Sequence, residues 1–142
     1  LGDGVNLAAR LEGQSKTYGV DVVLGEETQQ QISDYACVEL DLIQVKGQTR
    51  PTRIFGLLGN QSAALSSEFA TYKEQHDRLL LTYRAQKWDE ANNLSGKCRD
   101  LCSPWGNTGL YDLFDERIAE YRENSPGDKE GNWDGVYVAT SK

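Results

Sequence analysis

The fold of this chain is decided by residues 35–58, which read YACVELDLIQVKGQTRPTRIFGLL. Residues 35–40 and 42–45 are two strand candidates, because both are short runs rich in apolar and β-branched side chains. A Lys-Gly-Gln turn at 46–48 follows, and residues 52–58 form a third strand candidate. Three strands this close in sequence predict an antiparallel edge of a mixed sheet.

Helical patterns precede these strands. Residues 6–18 carry apolar side chains at helical spacing up to Gly19, and residues 26–32 predict a short helix with an acidic first turn. Between them, residues 20–24 form a β-branched run that predicts a buried strand. Helices that alternate with strands in this way predict an α/β or α+β fold with helices packed on one face of the sheet.

The chain becomes helical after a small polar stretch at 59–67, which we interpret as a linker. Two sets of apolar residues at three- and four-residue spacing predict an antiparallel helix pair joined at 85–87. A third helix is predicted over 109–122, before a polar loop and an extended or strand-like end at 133–138. Residues 68–142 are therefore predicted to be a mainly helical extension. The two sets are Phe69, Tyr72, His76, Leu79, Leu80 and Tyr83, then Trp88, Ala91, Leu94, Cys98 and Leu101.

The composition excludes some classes of function. The 22 acidic residues outnumber the 15 basic ones, which disfavours nucleic acid as a partner because phosphate binding needs a surplus of Lys and Arg. No apolar run is long enough to span a bilayer. Three cysteines and one histidine do not suggest a zinc site, and free thiols are expected. Because the sequence has no methionine, we expect it to be a piece of a longer protein.

Asn6 and Arg10 are candidate binding residues. Four residues apart on the predicted helix, they project from one face near its N-terminus, where backbone N–H groups and the helix dipole favour an anion. They could clamp a negatively charged ligand, but the same spacing also fits an ordinary amphipathic helix with Arg10 in solvent. Lys46 is open to two interpretations as well, because a Lys-Gly pair in a turn between strands is commonly a solvated surface feature.

Two motifs resemble class III adenylate and guanylate cyclases, which convert ATP or GTP into a 3′,5′-cyclic nucleotide. Residues 2–12, which read GDGVNLAARLE, resemble the late catalytic signature of that family without a gap, and the VKG at 45–47 stands where the family has its own Val-Lys-Gly. The resemblance covers residues 1–58. It implies that this part is the C-terminal portion of a cyclase catalytic domain, with a partial ferredoxin-like fold and a mixed or antiparallel sheet.

The resemblance implies a role for each candidate residue. Asn6 matches the asparagine that orients the ribose, Arg10 the arginine that stabilises charge on the transferred phosphoryl group, and Lys46 the lysine that contacts the terminal phosphates. In the reaction of the family, the 3′-hydroxyl attacks the α-phosphate and pyrophosphate leaves. Such residues suit this chemistry, because the enzyme mainly positions groups and neutralises charge.

The resemblance also implies that some parts of the active site lie outside this chain. The family holds Mg²⁺ or Mn²⁺ with two aspartates from an earlier part of the domain, and its active sites form between two catalytic domains. We therefore expect a homodimer, and we expect the chain alone to be inactive. Four aspartates of this chain are not expected to replace the metal ligands, because they occupy turn, helix-start or strand-end positions suited to capping. They are Asp3, Asp21, Asp34 and Asp41.

The helical extension is similar to the C-terminal extension of bacterial cyclases that carry a membrane-anchored extracytoplasmic sensor, often of the CHASE2 type. The similarity involves the helix pair with its Trp88-Asp89 entry, the segment 111–117 and the closing NWDGV at 132–136. It implies a membrane-anchored bacterial parent protein whose cytoplasmic end contains this chain and whose sensor region lies upstream.

Two other functions stay open. The region could be a non-catalytic module for dimerisation or nucleotide sensing, although such a module has no physical need for Asn6, Arg10 and Lys46 together. It could also be a helical interaction scaffold, because the helix pair resembles a single tetratricopeptide unit, which cannot bury its own hydrophobic face. The scaffold hypothesis predicts partner binding that persists when residues 1–58 are deleted.

Overall fold

The computed structural model describes residues 13–45 and 47–138 of the chain. These residues divide into two compact units, a sheet unit of residues 13–64 with 136–138 and a helical unit of Leu65–Gly135. Four strands of the sheet unit form one mixed sheet, and the unit also contains short helices. The predicted α+β class is therefore confirmed.

The sheet unit begins with a helical segment over residues 13–18, α1. This segment ends at Gly19, whose φ of +68° is a conformation that glycine adopts without strain. The elements that follow are β1 (Val23–Gly25), α2 (Glu26–Gln31), β2 (Ala36–Gln44), β3 (Thr52–Gly59), α3 (Gln61–Ala64) and β4 (Tyr137–Val138). In the sheet the order is β1-β3-β2-β4; β3 is antiparallel to both of its neighbours, and β4 is parallel to β2.

Strand β2 is one continuous strand of nine residues, and not the two strands that the sequence predicts. A bulge lies in its middle, because Glu39 pairs with Phe55 and Asp41 pairs with Ile54, which leaves Leu40 as an extra residue. The expected break at Asp41 is wrong because this side chain is buried and hydrogen-bonded within the unit, so the strand does not have to end there to keep it in water.

Two boundaries in the sheet unit differ from the sequence-based expectation. Strand β1 covers Val23–Gly25 instead of 20–24, although Val20 is buried in the core. The stretch predicted as a linker, 59–67, contains regular structure, since it includes the last residue of β3 and the whole of α3.

The helical unit contains α4 (Ser67–Arg84), α5 (Trp88–Leu101) and α6 (Gly109–Glu123). Ser66 caps α4, because its hydroxyl accepts a hydrogen bond of 3.1 Å from the backbone N–H of Phe69. Helix α4 packs against α5, and α5 packs against α6. The six residues predicted as the apolar face of α4 are its buried residues, namely Phe69, Tyr72, His76, Leu79, Leu80 and Tyr83.

The chain returns to the sheet after the helical unit. Tyr137 pairs with Ile43 and Val138 pairs with Gln44, so β4 lies parallel to the end of β2. In sequence, the helical unit is thus inserted between β3 and β4, whereas the predicted extension runs on to residue 142. Within the described residues, no helix is long and apolar enough to cross a membrane.

Candidate functional site

The three predicted site residues, Asn6, Arg10 and Lys46, lie outside the described residues. The structure describes the frame next to them, which is the helix that follows Asn6 and Arg10 and the residues on both sides of Lys46. Helix α1 follows directly after the segment that contains Asn6 and Arg10, and the residues that flank Lys46 belong to the connection between β2 and β3. The contacts described below are therefore those of the residues next to the two motifs.

The residues around position 46 form a closed turn. The backbone N–H of Gln48 donates to the carbonyl of Val45 over 3.0 Å, and the Gln44 side-chain amide donates to the carbonyl of Gln48 over 3.2 Å. Gly47 has a φ of +90°, a conformation that glycine adopts without strain. Both flanks of position 46 are therefore fixed to the end of β2.

A buried hydrogen bond joins α1 to β2. The hydroxyl of Tyr18 donates to Oδ2 of Asp41 over 2.6 Å, and the Asp41 Oδ1 accepts a hydrogen bond from the backbone N–H of Leu42 over 2.9 Å. Tyr18 is fully buried and Asp41 is 1% exposed. The sequence analysis missed this pair, because it assigned Asp41 to a strand end as a cap. The available signal was the alternation of β2, which places Asp41 on the same face as Ile43 and Val45.

An ionic cluster in the sheet unit involves Arg53. Its guanidinium lies 2.6 Å from the Glu39 carboxylate and 3.6 Å from that of Glu26. The Arg53 side chain is about one-third exposed, so these contacts contribute on the order of 0–1 kcal/mol. The cluster neutralises Arg53 within the sheet unit, which makes it a poor candidate for a phosphate-binding residue.

The helical unit contains a buried polar cluster of Tyr72, His76, Asn107 and Tyr111. The two tyrosine hydroxyls are 2.5 Å apart, His76 Nδ1 lies 2.9 Å from the Tyr111 hydroxyl, and Asn107 donates to the Tyr72 hydroxyl over 2.9 Å. All four residues are at most 2% exposed. Burial raises the pKa of both tyrosines far above the usual range, so both hydroxyls stay neutral. The cluster joins polar side chains inside the core of the unit and positions its helices, although Asn107 Oδ1 has no hydrogen-bond partner among the described residues.

Four aromatic rings of the same unit lie close together, as the rings of a ligand cage do. The rings are Tyr83, Trp88, Tyr121 and Trp133, and every pair among them has centroids between 5.3 and 6.3 Å apart. At this spacing the rings contact one another and fill the space between them. The third tryptophan, Trp105, stacks on Tyr72 at 5.3 Å. These aromatic residues are packing residues.

Within the residues that the structure describes, no group of three or more His, Cys, Asp or Glu side chains is placed to hold a metal ion. Asp41 is engaged with Tyr18, and the exposed Asp34 accepts a hydrogen bond from the side chain of Gln61.

The three cysteines are predicted to react slowly with thiol reagents in the folded protein. All three are buried, and burial raises the pKa of Cys98 to about 12 and raises the pKa of Cys37 and Cys102. Only the thiolate reacts, and at pH 8 about one Cys98 thiol in ten thousand is ionised. We expect labelling by a maleimide or an aromatic disulfide to be at least about a hundredfold slower than in urea-unfolded protein.

The pH dependence of the labelling rate is a second test of the burial of the thiols. Because the pKa is raised, the reaction of folded Cys98 should keep accelerating about tenfold per pH unit above pH 9, where an unfolded cysteine has already levelled off. Mass spectrometry of the labelled protein identifies which thiol has reacted. Rapid labelling of all three at pH 8 would contradict their burial.

Comparison of the chain with protein families, with curated proteins and with solved structures found no match. The assignment of function therefore depends on the two sequence motifs and on the frame that holds them.

Proposed function

We propose that this chain is the C-terminal part of the catalytic domain of a class III nucleotide cyclase, with a helical unit inserted before the last strand. The parent enzyme would convert ATP or GTP into a 3′,5′-cyclic nucleotide and pyrophosphate. The observation that carries the proposal is the ungapped motif at 2–12 followed by Val-Lys-Gly at 45–47. The residues next to position 46 support it, because the backbone N–H of Gln48 donates to the carbonyl of Val45 and the Gln44 side chain donates to the carbonyl of Gln48.

The proposed residues divide the chemistry among them. Asn6 would hold the ribose so that its 3′-oxygen faces the α-phosphorus, and the 3′-hydroxyl would release its proton to solvent water as the new O–P bond forms. The bond from the α-phosphorus to the bridging oxygen breaks, and pyrophosphate leaves. Arg10 would stabilise the charge that develops during this exchange, which is worth most when the cation is already in place.

Lys46 would bind the terminal phosphates as a point charge. An ammonium on a flexible stem tolerates some variation in phosphate position, so it needs less exact placement than a guanidinium. The hydrogen bonds from Gln48 to Val45 and from Gln44 to Gln48 restrict the residues on either side of position 46. The phosphates carry full charge before and during the reaction, so Lys46 is proposed to act on binding more than on the chemical step.

The proposal extends to the assembly of the parent protein. We propose that two catalytic domains form a composite site, with the Asn6, Arg10 and Lys46 set from one and the aspartates that hold Mg²⁺ or Mn²⁺ from the other. The metal ions would neutralise the triphosphate. We further propose that the parent is a membrane-anchored bacterial sensor protein and that this part of it is cytoplasmic.

Lys46→Ala is expected to raise the KM for the nucleotide with a smaller change in kcat. Loss of one hydrogen bond to a charged group costs about 1.5–3 kcal/mol, which corresponds to a decrease in kcat/KM between about tenfold and a hundredfold. Steady-state formation of cyclic nucleotide measures this in the catalytic region that joins this chain to its upstream sequence. The matched control is Lys16→Ala on α1, since Lys16 is exposed. Equal kcat/KM in the two variants would contradict the role of Lys46.

A further inference from the structure

The strongest unassigned feature of the sheet unit is the buried contact between Tyr18 and Asp41. It joins residues 23 positions apart over 2.6 Å. A hydroxyl that donates to a carboxylate forms a short and directional bond, and in a buried place it has little competition from water. The contact therefore defines the position of α1 along β2.

Apolar side chains could fill the space that this buried pair occupies at a lower cost in free energy. Taking a carboxylate out of water costs several kcal/mol, and apolar side chains of similar size often give equal or greater stability. The neighbours of Asp41 on β2 include Leu40 and Ile43, which are fully or almost fully buried. A polar pair in such surroundings adds a fixed orientation that apolar packing does not provide.

The two residues lie on the two segments that lead to the proposed motifs. Tyr18 is the last residue of α1, which follows directly after 2–12, and Gly19 ends the helix there. Asp41 lies in β2, whose end carries the turn at 45–48. The hydrogen bond thus joins the helix that follows the first motif to the strand that precedes the second.

We propose that Tyr18 and Asp41 are positioning residues that set the distance and orientation of Asn6 and Arg10 relative to Lys46. The inference rests on the proposed function, because it concerns the same site. Its physical basis is the sensitivity of the reaction to geometry. A displacement of about 1 Å between the groups that hold the ribose and those that hold the phosphates can lower the rate by about a hundredfold.

The first test measures position without any nucleotide. Spin labels are attached at Lys16→Cys on α1 and Thr49→Cys after the turn, both exposed positions, in the catalytic region used for the kinetic assays. The distance between the labels is then measured by electron paramagnetic resonance with Tyr18 intact and in Tyr18→Phe. The matched control is Tyr35→Phe, which removes a hydroxyl from a partly exposed tyrosine just before β2. We expect a broader or shifted distribution in Tyr18→Phe alone.

The second test separates positioning from simple loss of stability. Tyr18→Phe is expected to lower kcat between about tenfold and a hundredfold, with a smaller change in KM. The measurement is made at a temperature where its circular dichroism equals that of the unmodified protein. Asp41→Asn keeps a hydrogen-bonding side chain of the same shape, so it should retain more activity than Tyr18→Phe. It also provides the second variant if Tyr18→Phe does not fold.

The outcomes distinguish the two proposals. A changed distance distribution together with a lowered kcat supports the positioning role. An unchanged distribution in both Tyr18→Phe and Asp41→Asn overturns it, whatever the activity. Unmodified protein that is folded but makes no cyclic nucleotide overturns the proposed function, and the distance measurement then still reports whether the pair fixes α1 on β2.

Discussion

Arg10→Ala is expected to lower the kcat of cyclic-nucleotide formation about 100- to 1000-fold, with little change in KM. The charge that Arg10 is proposed to stabilise develops mainly in the transition state, and removal of one preorganised group of this kind typically costs about 3–4 kcal/mol. The measurement is steady-state turnover of the nucleotide by the catalytic region, made with the variant and the unmodified protein at equal concentration.

Two variants act as controls for Arg10→Ala. Arg10→Lys keeps the charge but loses the planar fork that binds two phosphate oxygens, so it should recover only part of the activity. Lys16→Ala removes an exposed positive charge from α1 and should leave kcat unchanged. An Arg10→Ala variant whose kcat equals that of the unmodified protein would show that Arg10 has no part in the reaction.

Phe114→Ala is expected to destabilise the helical unit by about 3–5 kcal/mol. Phe114 is fully buried on α6, and its ring lies 5.1 Å from that of Tyr83 and 6.4 Å from that of His76. Its removal would leave a cavity between α4 and α6 that rigid aromatic neighbours cannot close. Urea unfolding followed by tryptophan fluorescence measures the loss.

The tryptophans make this measurement specific. All three of them, Trp88, Trp105 and Trp133, lie in the helical unit, so their fluorescence does not report the sheet unit directly. Leu81→Ala is the matched control, because Leu81 lies on α4 with 70% of its surface exposed and should change stability by less than about 0.5 kcal/mol. Equal unfolding midpoints for the two variants would contradict the packing described for Phe114.

The helical unit was the part most readily predicted from sequence. Its apolar residues recur at the period of a helix, and this signal is local, so the buried face of α4 could be identified residue by residue. The connection at 85–87 and the start of α6 at Gly109 also match the prediction. The cluster around Tyr111 was not predicted, because its hydrogen bonds join residues 35 to 39 positions apart.

The sheet unit was harder to predict because its decisive contacts are not local. Asp41 looked like a strand end; the alternation of β2 indicates that it faces inward, but its hydrogen-bond partner, Tyr18, lies 23 positions away and cannot be identified from β2 alone. Strand β4 has only two residues, and its pairing with β2 depends on the return of the chain after the helical unit. Short strands of this kind carry too little periodicity to be assigned to a sheet from sequence.

The candidate site was predicted from motifs and not from physical patterns. Spacing alone left Asn6, Arg10 and Lys46 compatible with solvated surface residues, and the resemblance to cyclases assigned them their roles. Their roles stay predictions, since the described residues comprise only the frame around them. That frame does connect the helix after the first motif to the strand before the second.

Formation of cyclic nucleotide by the catalytic region, with the sequence upstream of this chain in place, tests the central claim most directly. ATP and GTP are supplied in parallel with Mg²⁺ or Mn²⁺, and the products are separated by chromatography. The account predicts that at least one of the two nucleotides yields its 3′,5′-cyclic product and pyrophosphate in equal amounts. No product from either nucleotide, with a protein that is folded and dimeric, would contradict it and favour a non-catalytic dimerisation or nucleotide-sensing module.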